Sequence, residues 1–119
     1  MPVSVGHFGY MPASAGVGYG PFRLLCELVA EGNTWVKLSA PNRLGVGDLP
    51  PWNEVVALAR AFIEVDPDRL MRASDWPHPN RFGAQPNDAD LLEQLGRRAP
   101  DPGIRHRLVV DSPASFYRF

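Results

Sequence analysis

The sequence predicts an α/β fold of parallel β/α units, and three observations carry that prediction. Short runs rich in β-branched, aromatic and other apolar residues alternate with segments whose apolar residues recur at helical spacing. Each strand-like run leads into a long stretch rich in Gly, Pro, Ser or His, whereas the returns from helix to strand, Gly32-Asn33 and Asp66-Pro67-Asp68, are tight. Strands that alternate with helices imply parallel pairing through right-handed crossovers.

The elements follow in order. Val3 to Gly6 is a short apolar run that ends at His7-Phe8-Gly9, a strand running into a loop over residues 10–20. Pro21 opens a helix, since its fixed φ suits the first turn. Phe22, Leu25, Cys26 and Val29 fall at i, i+3, i+4 and i+7, one face of that helix, and Gly32 closes it. Thr34 to Leu38 reads as a second strand, followed by a loop from Ser39 to Pro51. Trp52, Val55, Val56, Ala59, Phe62 and Ile63 mark a second amphipathic helix, which Asp66-Pro67-Asp68 stops. Arg69 to Ser74 is a third strand and residues 75–87 its loop. Asp88 caps a helix carrying Leu91, Leu92 and Leu95. Asp101-Pro102 begins another, with Ile104, Leu108 and Val109 on one side, and Asp111-Ser112-Pro113 caps a last turn ending in Phe116 and Phe119. Long loops at the C-terminal ends of all three strands fit a barrel whose chemistry sits on one rim. Three strands cannot close such a barrel, which takes about 250 residues; a chain of 119 residues supplies less than half.

Composition narrows the function classes. The chain is 45% apolar and 21% charged with a formal net charge of −1, which gives no electrostatic reason to expect nucleic acid or a membrane surface as a partner. No run of 18 or more apolar residues occurs. Residues 1–20 lack a basic segment followed by an apolar stretch, so the expected compartment is the cytoplasm. Cys26 is the single cysteine, which excludes an intrachain disulfide; its place in an apolar helix pattern reads as a buried, inert thiol.

The chemistry-bearing residues cluster at the predicted strand tips. Ser74-Asp75-Trp76-Pro77-His78-Pro79 ends the third strand, and Pro67-Asp68-Arg69-Leu70 precedes it. This pattern resembles the last barrel strand of amidohydrolase-superfamily enzymes. Gly6-His7-Phe8-Gly9 is similar to the Asp-His-Phe/Met-Gly tip of an earlier strand in that family. Trp35-Val36-Lys37-Leu38-Ser39 with Arg43 resembles Trp-Val-Lys-Leu-Ser-Gly-x-x-Arg, and Asp111-Ser112-Pro113-Ala114 resembles its closing turn. The matches are colinear over essentially the whole chain, and the branch they resemble is the 2-pyrone-4,6-dicarboxylate lactonase-like one.

The resemblance implies the C-terminal part of a TIM (β/α)8 barrel, its last three strands and their helices, as one partial domain over residues 1–119. It implies a carbon–oxygen hydrolase that opens a cyclic ester bearing carboxylates. In the family the aspartate at the Asp75 position either binds a metal or acts as a base towards water, and the histidine at the His7 position meets the substrate or metal. For a lactone, Asp75 serves as the base, an N–H of His7 meets the oxyanion, and Arg43 grips a substrate carboxylate in the planar fashion that Lys cannot match. His78 and Tyr10 are further substrate-binding positions. Each has a plainer reading: Asp75 as a turn cap, His7 as a loop histidine, Arg43 as a solvated charge, His78 as a shape element between prolines. Lys37 either points into the barrel or snorkels.

Departures from the family pattern bear on substrate and activity. Gly6 stands where the family has Asp, Tyr10 where Arg is common, Ala73 where Gly precedes the Ser-Asp pair, and Arg72 where a large apolar residue is usual. Arg72 has the opposite strand parity to Asp75, so it faces the helix layer, where an unpaired charge is costly. The family's His-x-His pair is absent. His7, His78 and His106 show no metal-ligand spacing, so no metal cofactor is expected. Two alternatives stay open: a metal-dependent decarboxylase of the same superfamily, using a divalent metal such as zinc, and a catalytically inactive truncated fragment that needs a partner half. Because outer strands of an open sheet invite pairing, the expected partner besides a small carboxylate substrate is a second copy or a complementary N-terminal half. The start at Met1-Pro2, just before a strand, accords with that expectation.

Overall fold

In a computed structural model the structure describes residues 2–39, 52–73 and 88–118. Three strands, β1 (Val3–Val5), β2 (Thr34–Leu38) and β3 (Leu70–Arg72), form one sheet in the order β1-β2-β3. Both pairings are parallel, with Val5 opposite Val36 and Leu38 opposite Arg72. Helix α1 (Gly20–Ala30) makes the first crossover and α2 (Asn53–Val65) the second. This is the β/α alternation expected from the sequence.

Strand parity sorts the side chains onto two faces. Val36, Leu38 and Leu70 are fully buried in the main core with Phe22, Val29, Val55, Leu58 and Phe62 from the helices. Arg72, opposite Leu38, lies on that same face and is half-buried, as its parity predicts. Trp35, Lys37 and Met71 take the other face. There Trp35 packs edge-on against Phe116 at 5.2 Å between ring centroids. Leu58, absent from the sequence-derived helix face, is as buried as Phe62, so the apolar stripe of α2 is wider than the strict spacing suggests.

Arg69 organises the N-terminal rim of the sheet. Its Nε donates to the Gly32 carbonyl at 2.8 Å, and its guanidinium lies 4.5 Å from the centre of the Trp35 ring. Gly32 itself has φ +92, a backbone that only glycine adopts readily. One side chain thus joins the α1–β2 turn, β2 and the start of β3, a cation–π contact as well as a hydrogen bond. That is a structural reason for the Pro-Asp-Arg-Leu segment.

Helix α3 spans Asp88–Arg98. Beyond it, the C-terminal region departs from expectation at Asp111 and at Val109. Asp101 does cap α4 (Pro102–His106), its carboxylate accepting from the Gly103 N–H at 2.8 Å. Asp111, however, caps nothing. It has φ −69 and ψ −46 and ends a π-helical stretch, Arg107–Asp111, that runs directly into α5 (Ser112–Tyr117). Pro113 has no N–H and its ring crowds the carbonyl one turn back; the widened turn lets the helix continue past it. The same widening rotates the apolar stripe, so Leu108 is buried while Val109 is 47% exposed.

Candidate functional site

His7 and Ser39 stand just beyond the C-terminal ends of β1 and β2, so adjacent parallel strands bring them to the same rim. The His7 N–H donates to Ser39 Oγ at 3.2 Å, and the His7 Nδ1 lies 2.7 Å from that same oxygen. Ser39 is 1% exposed and His7 half-buried.

The backbone that presents His7 is strained. His7, Phe8, Gly9 and Tyr10 all have positive φ, between 49 and 70, forming a tight turn of left hand. Three of these four carry a Cβ, and each such residue costs about 1–2 kcal/mol in this region. Three contacts hold the turn. Gly9 N–H donates to the Gly6 carbonyl at 2.9 Å, Ser39 accepts from His7, and Phe8 is fully buried, 6.4 Å from Phe62 between ring centroids. Strain that is over-determined in this way clusters at functional sites. Tyr10 returns over the imidazole, its ring 5.1 Å from that of His7 at 80°, and is 63% exposed.

Beneath the rim, Arg98 reaches out of α3. It is 3% exposed, and its guanidinium donates to the Leu38 carbonyl at 3.1 Å, while Nε donates to Gln94 O at 3.4 Å. The last peptide of β2 is therefore held on one side by Arg98 and on the other by the bonds between Ser39 and His7. Burial, with repulsion from Arg72 added, lowers Arg98 to about 10. That is still far above neutrality, so the guanidinium stays charged. Lys37 lies on the face opposite the helix layer, with Nζ 5.6 Å from the centre of the Tyr117 ring.

Of the residues proposed from sequence, the structure brings His7 and Tyr10 together. Arg43, Asp75 and His78 lie outside the described residues. Among the described residues no three His, Cys, Asp or Glu side chains converge as a metal-ligand set, and no helix is long and apolar enough to cross a membrane. Cys26 is half-buried at a groove of about 350 Å³ between α1 and α2, and burial pushes its thiol up, in accord with an inert role. Sequence reasoning gave no role to two residues. Ser39 has the parity of Trp35 and Lys37, a signal that places it at the inner rim. Arg98 ends a helix of low mean hydropathy, and nothing in its neighbourhood distinguishes it from a solvated charge.

The amidohydrolase family profile matches residues 1–119. The chain is 39% identical over 118 residues to a 4-sulfomuconolactone hydrolase of Rhizobium radiobacter, covering 98% of this chain and 39% of that protein. It is 34% identical over 123 residues to a 2-pyrone-4,6-dicarboxylate hydrolase of Comamonas testosteroni, covering 97% of this chain and 40% of the relative. The chain thus spans about two fifths of the length of these relatives. Among solved structures, an Agrobacterium tumefaciens protein superposes with a TM-score of 0.79 at 28% identity, covering 95% of this chain and 40% of that one. A Pseudomonas putida protein, provisionally assigned as a 2-pyrone-4,6-dicarboxylic acid hydrolase, gives 0.78 at 28% identity over 99% of this chain and 43% of its own.

Proposed function

The chain belongs to the amidohydrolase family, and from that premise we propose that it forms the C-terminal part of a barrel hydrolase that opens a lactone ring bearing anionic groups. The observation that carries this reading is the strained His7 turn, tied to Ser39 across two adjacent strand ends on the rim where barrel active sites assemble. The names of the relatives supply the substrate class: one acts on a sulfomuconolactone and another on a pyrone dicarboxylate, both rings that carry acid groups.

In this reading the imidazole of His7 donates to the oxygen on which charge develops as the lactone carbonyl is attacked. Asp75 takes the proton from the attacking water and returns it to the ring oxygen as the acyl C–O bond breaks, leaving an opened acid. Arg43 grips a carboxylate or sulfonate through paired N–H donors, with Tyr10 and His78 completing the pocket wall. The chemistry runs without a metal. The remaining strands come from a complementary segment or a second copy, because β1 and β3 are outer strands of the sheet among the described residues.

The test is ring opening of 2-pyrone-4,6-dicarboxylate and 4-sulfomuconolactone, followed by loss of lactone absorbance. It is run with the 119-residue chain alone and with the chain joined to the N-terminal three fifths of the 39%-identical relative. Turnover by the joined protein that survives chelator supports the proposal. Activity abolished by chelator moves a metal-dependent reaction ahead of it, and no turnover of either lactone overturns the substrate class.

A further inference from the structure

Ser39 stands in an unusual position for a hydroxyl. It is almost fully buried, at 1% exposure, and its oxygen contacts two nitrogens of one residue, the backbone N–H and Nδ1 of His7. The backbone nitrogen can only donate, so one lone pair of Oγ is already committed. The hydroxyl hydrogen then needs an acceptor, and among the described residues the Nδ1 of His7 is the one within reach, at 2.7 Å. The opposite assignment, with Nδ1–H donating to Oγ, leaves the buried hydroxyl hydrogen without an acceptor among the described residues, the costly arrangement in a protein interior.

We propose that Ser39 is a positioning residue that sets the tautomer of His7: its hydroxyl donates to Nδ1 and thereby places the imidazole proton on Nε2. The inference rests on the reading of His7 as an oxyanion donor, because only the Nε2–H form turns a proton towards a developing negative charge while Nδ1 is engaged. In the other tautomer the Nε2 lone pair would face that charge and repel it. Ser39 touches no reacting atom. It acts through the orientation and tautomer of the ring, as second partners of catalytic histidines do. The double contact also explains why the turn tolerates left-handed backbone at His7: a single hydroxyl fixes both the peptide and the ring.

The experiment uses the 119-residue chain labelled with 15N at histidine. Long-range 1H–15N correlation is recorded above the ordinary titration range of imidazole, and the His7 signals are those lost in His7→Asn. The expected result is a pyridine-like Nδ1 and a pyrrole-like Nε2. Ser39→Ala is expected to move the tautomer ratio by about fivefold, the worth of one net hydrogen bond, while Ser39→Thr keeps it. A pyrrole-like Nδ1 in the wild type, or a ratio unchanged in Ser39→Ala, overturns the proposal. If Ser39→Ala loses its amide dispersion, Ser39→Cys decides, because a thiol is a weaker donor; an unshifted ratio there overturns it equally. The readout needs no turnover. A tautomer set by Ser39 in a protein that opens no lactone sinks the proposed reaction alone, and lactone hydrolysis with an indifferent tautomer sinks this inference alone.

Discussion

Gly9→Ala probes the strained turn that presents His7. Gly9 has φ +70, and a Cβ built there would lie 2.6 Å from Leu25 Cδ2, well inside contact distance. Left-handed backbone costs an alanine about 1–2 kcal/mol, and forcing a methyl against a packed core leucine adds roughly 1–3 kcal/mol. The lower freedom of the unfolded alanine chain returns about 0.4–1 kcal/mol. The net is a loss of about 2–3 kcal/mol, or roughly 10 °C in Tm for a domain of this size. Gly6→Ala is the control: Gly6 has φ −80, and nothing lies within 4 Å of a Cβ there, so its cost stays within about 0.5 kcal/mol. Adding Leu25→Ala separates the two causes. It removes the clash and leaves the strain, so Gly9→Ala should cost only about 1 kcal/mol in that background. Urea denaturation followed by circular dichroism, at fixed protein concentration because association adds stability, compares the wild type with the four variants, Gly9→Ala, Gly6→Ala, Leu25→Ala and the Gly9→Ala/Leu25→Ala pair. A Gly9→Ala cost no larger than that of Gly6→Ala refutes the left-handed turn. Equal costs in both Leu25 backgrounds refute the clash.

Two further predictions concern what supports the rim. Phe8→Ala removes a fully buried ring packed with Phe62 and should cost about 3–5 kcal/mol by denaturant titration, with the His7–Ser39 bonds lost in parallel as new histidine line broadening; a cost near that of a surface substitution contradicts the placement of Phe8. Arg98→Ala empties a buried site and frees the Leu38 carbonyl, so a loss of about 3 kcal/mol is expected, and Arg98→Lys should lose less. The lowered value of about 10 for Arg98 means that the folded state disfavours its charged form. The sign follows: this penalty is full at every pH below about 10 and fades only above it. The Arg98→Ala difference should therefore be the same at about pH 6 and about pH 8, and a difference that changes between them indicates a titrating partner instead.

Much of the fold is legible because its signals are local and redundant. β2 combines a β-branched residue, an aromatic and a tight Gly32-Asn33 return, and its bounds match those read from sequence. Helix α1 has a proline in its first turn and one clear apolar face. The C-terminal helix is harder. Asp111-Ser112-Pro113 carries every local sign of a new helix start, yet a π-helical turn absorbs the proline and the helix runs on. That outcome depends on Leu108 and Phe116 packing at a distance, which no window of sequence encodes. The same holds for the site. His7 stands out because a histidine after a strand is rare and chemically marked. Its left-handed backbone and its bond to a serine 32 residues away are properties of the assembled rim. Arg98 is invisible in sequence for the converse reason: its role is to be buried against Leu38, 60 residues distant.

The central claim, that His7 and Asp75 serve one hydrolytic step, is tested most directly by a double-mutant cycle on turnover. His7→Asn, Asp75→Asn and the double variant are compared in the joined protein, with kcat for lactone opening measured at saturating substrate. Loss of a general base or of an oxyanion donor lowers kcat by about 100-fold or more. Residues that act as a unit are grossly non-additive. The account predicts that each single variant falls by at least that much with little change in KM, and that the double variant is barely slower than the worse single. Turnover largely retained in Asp75→Asn, or losses that multiply fully in the double variant, would contradict it.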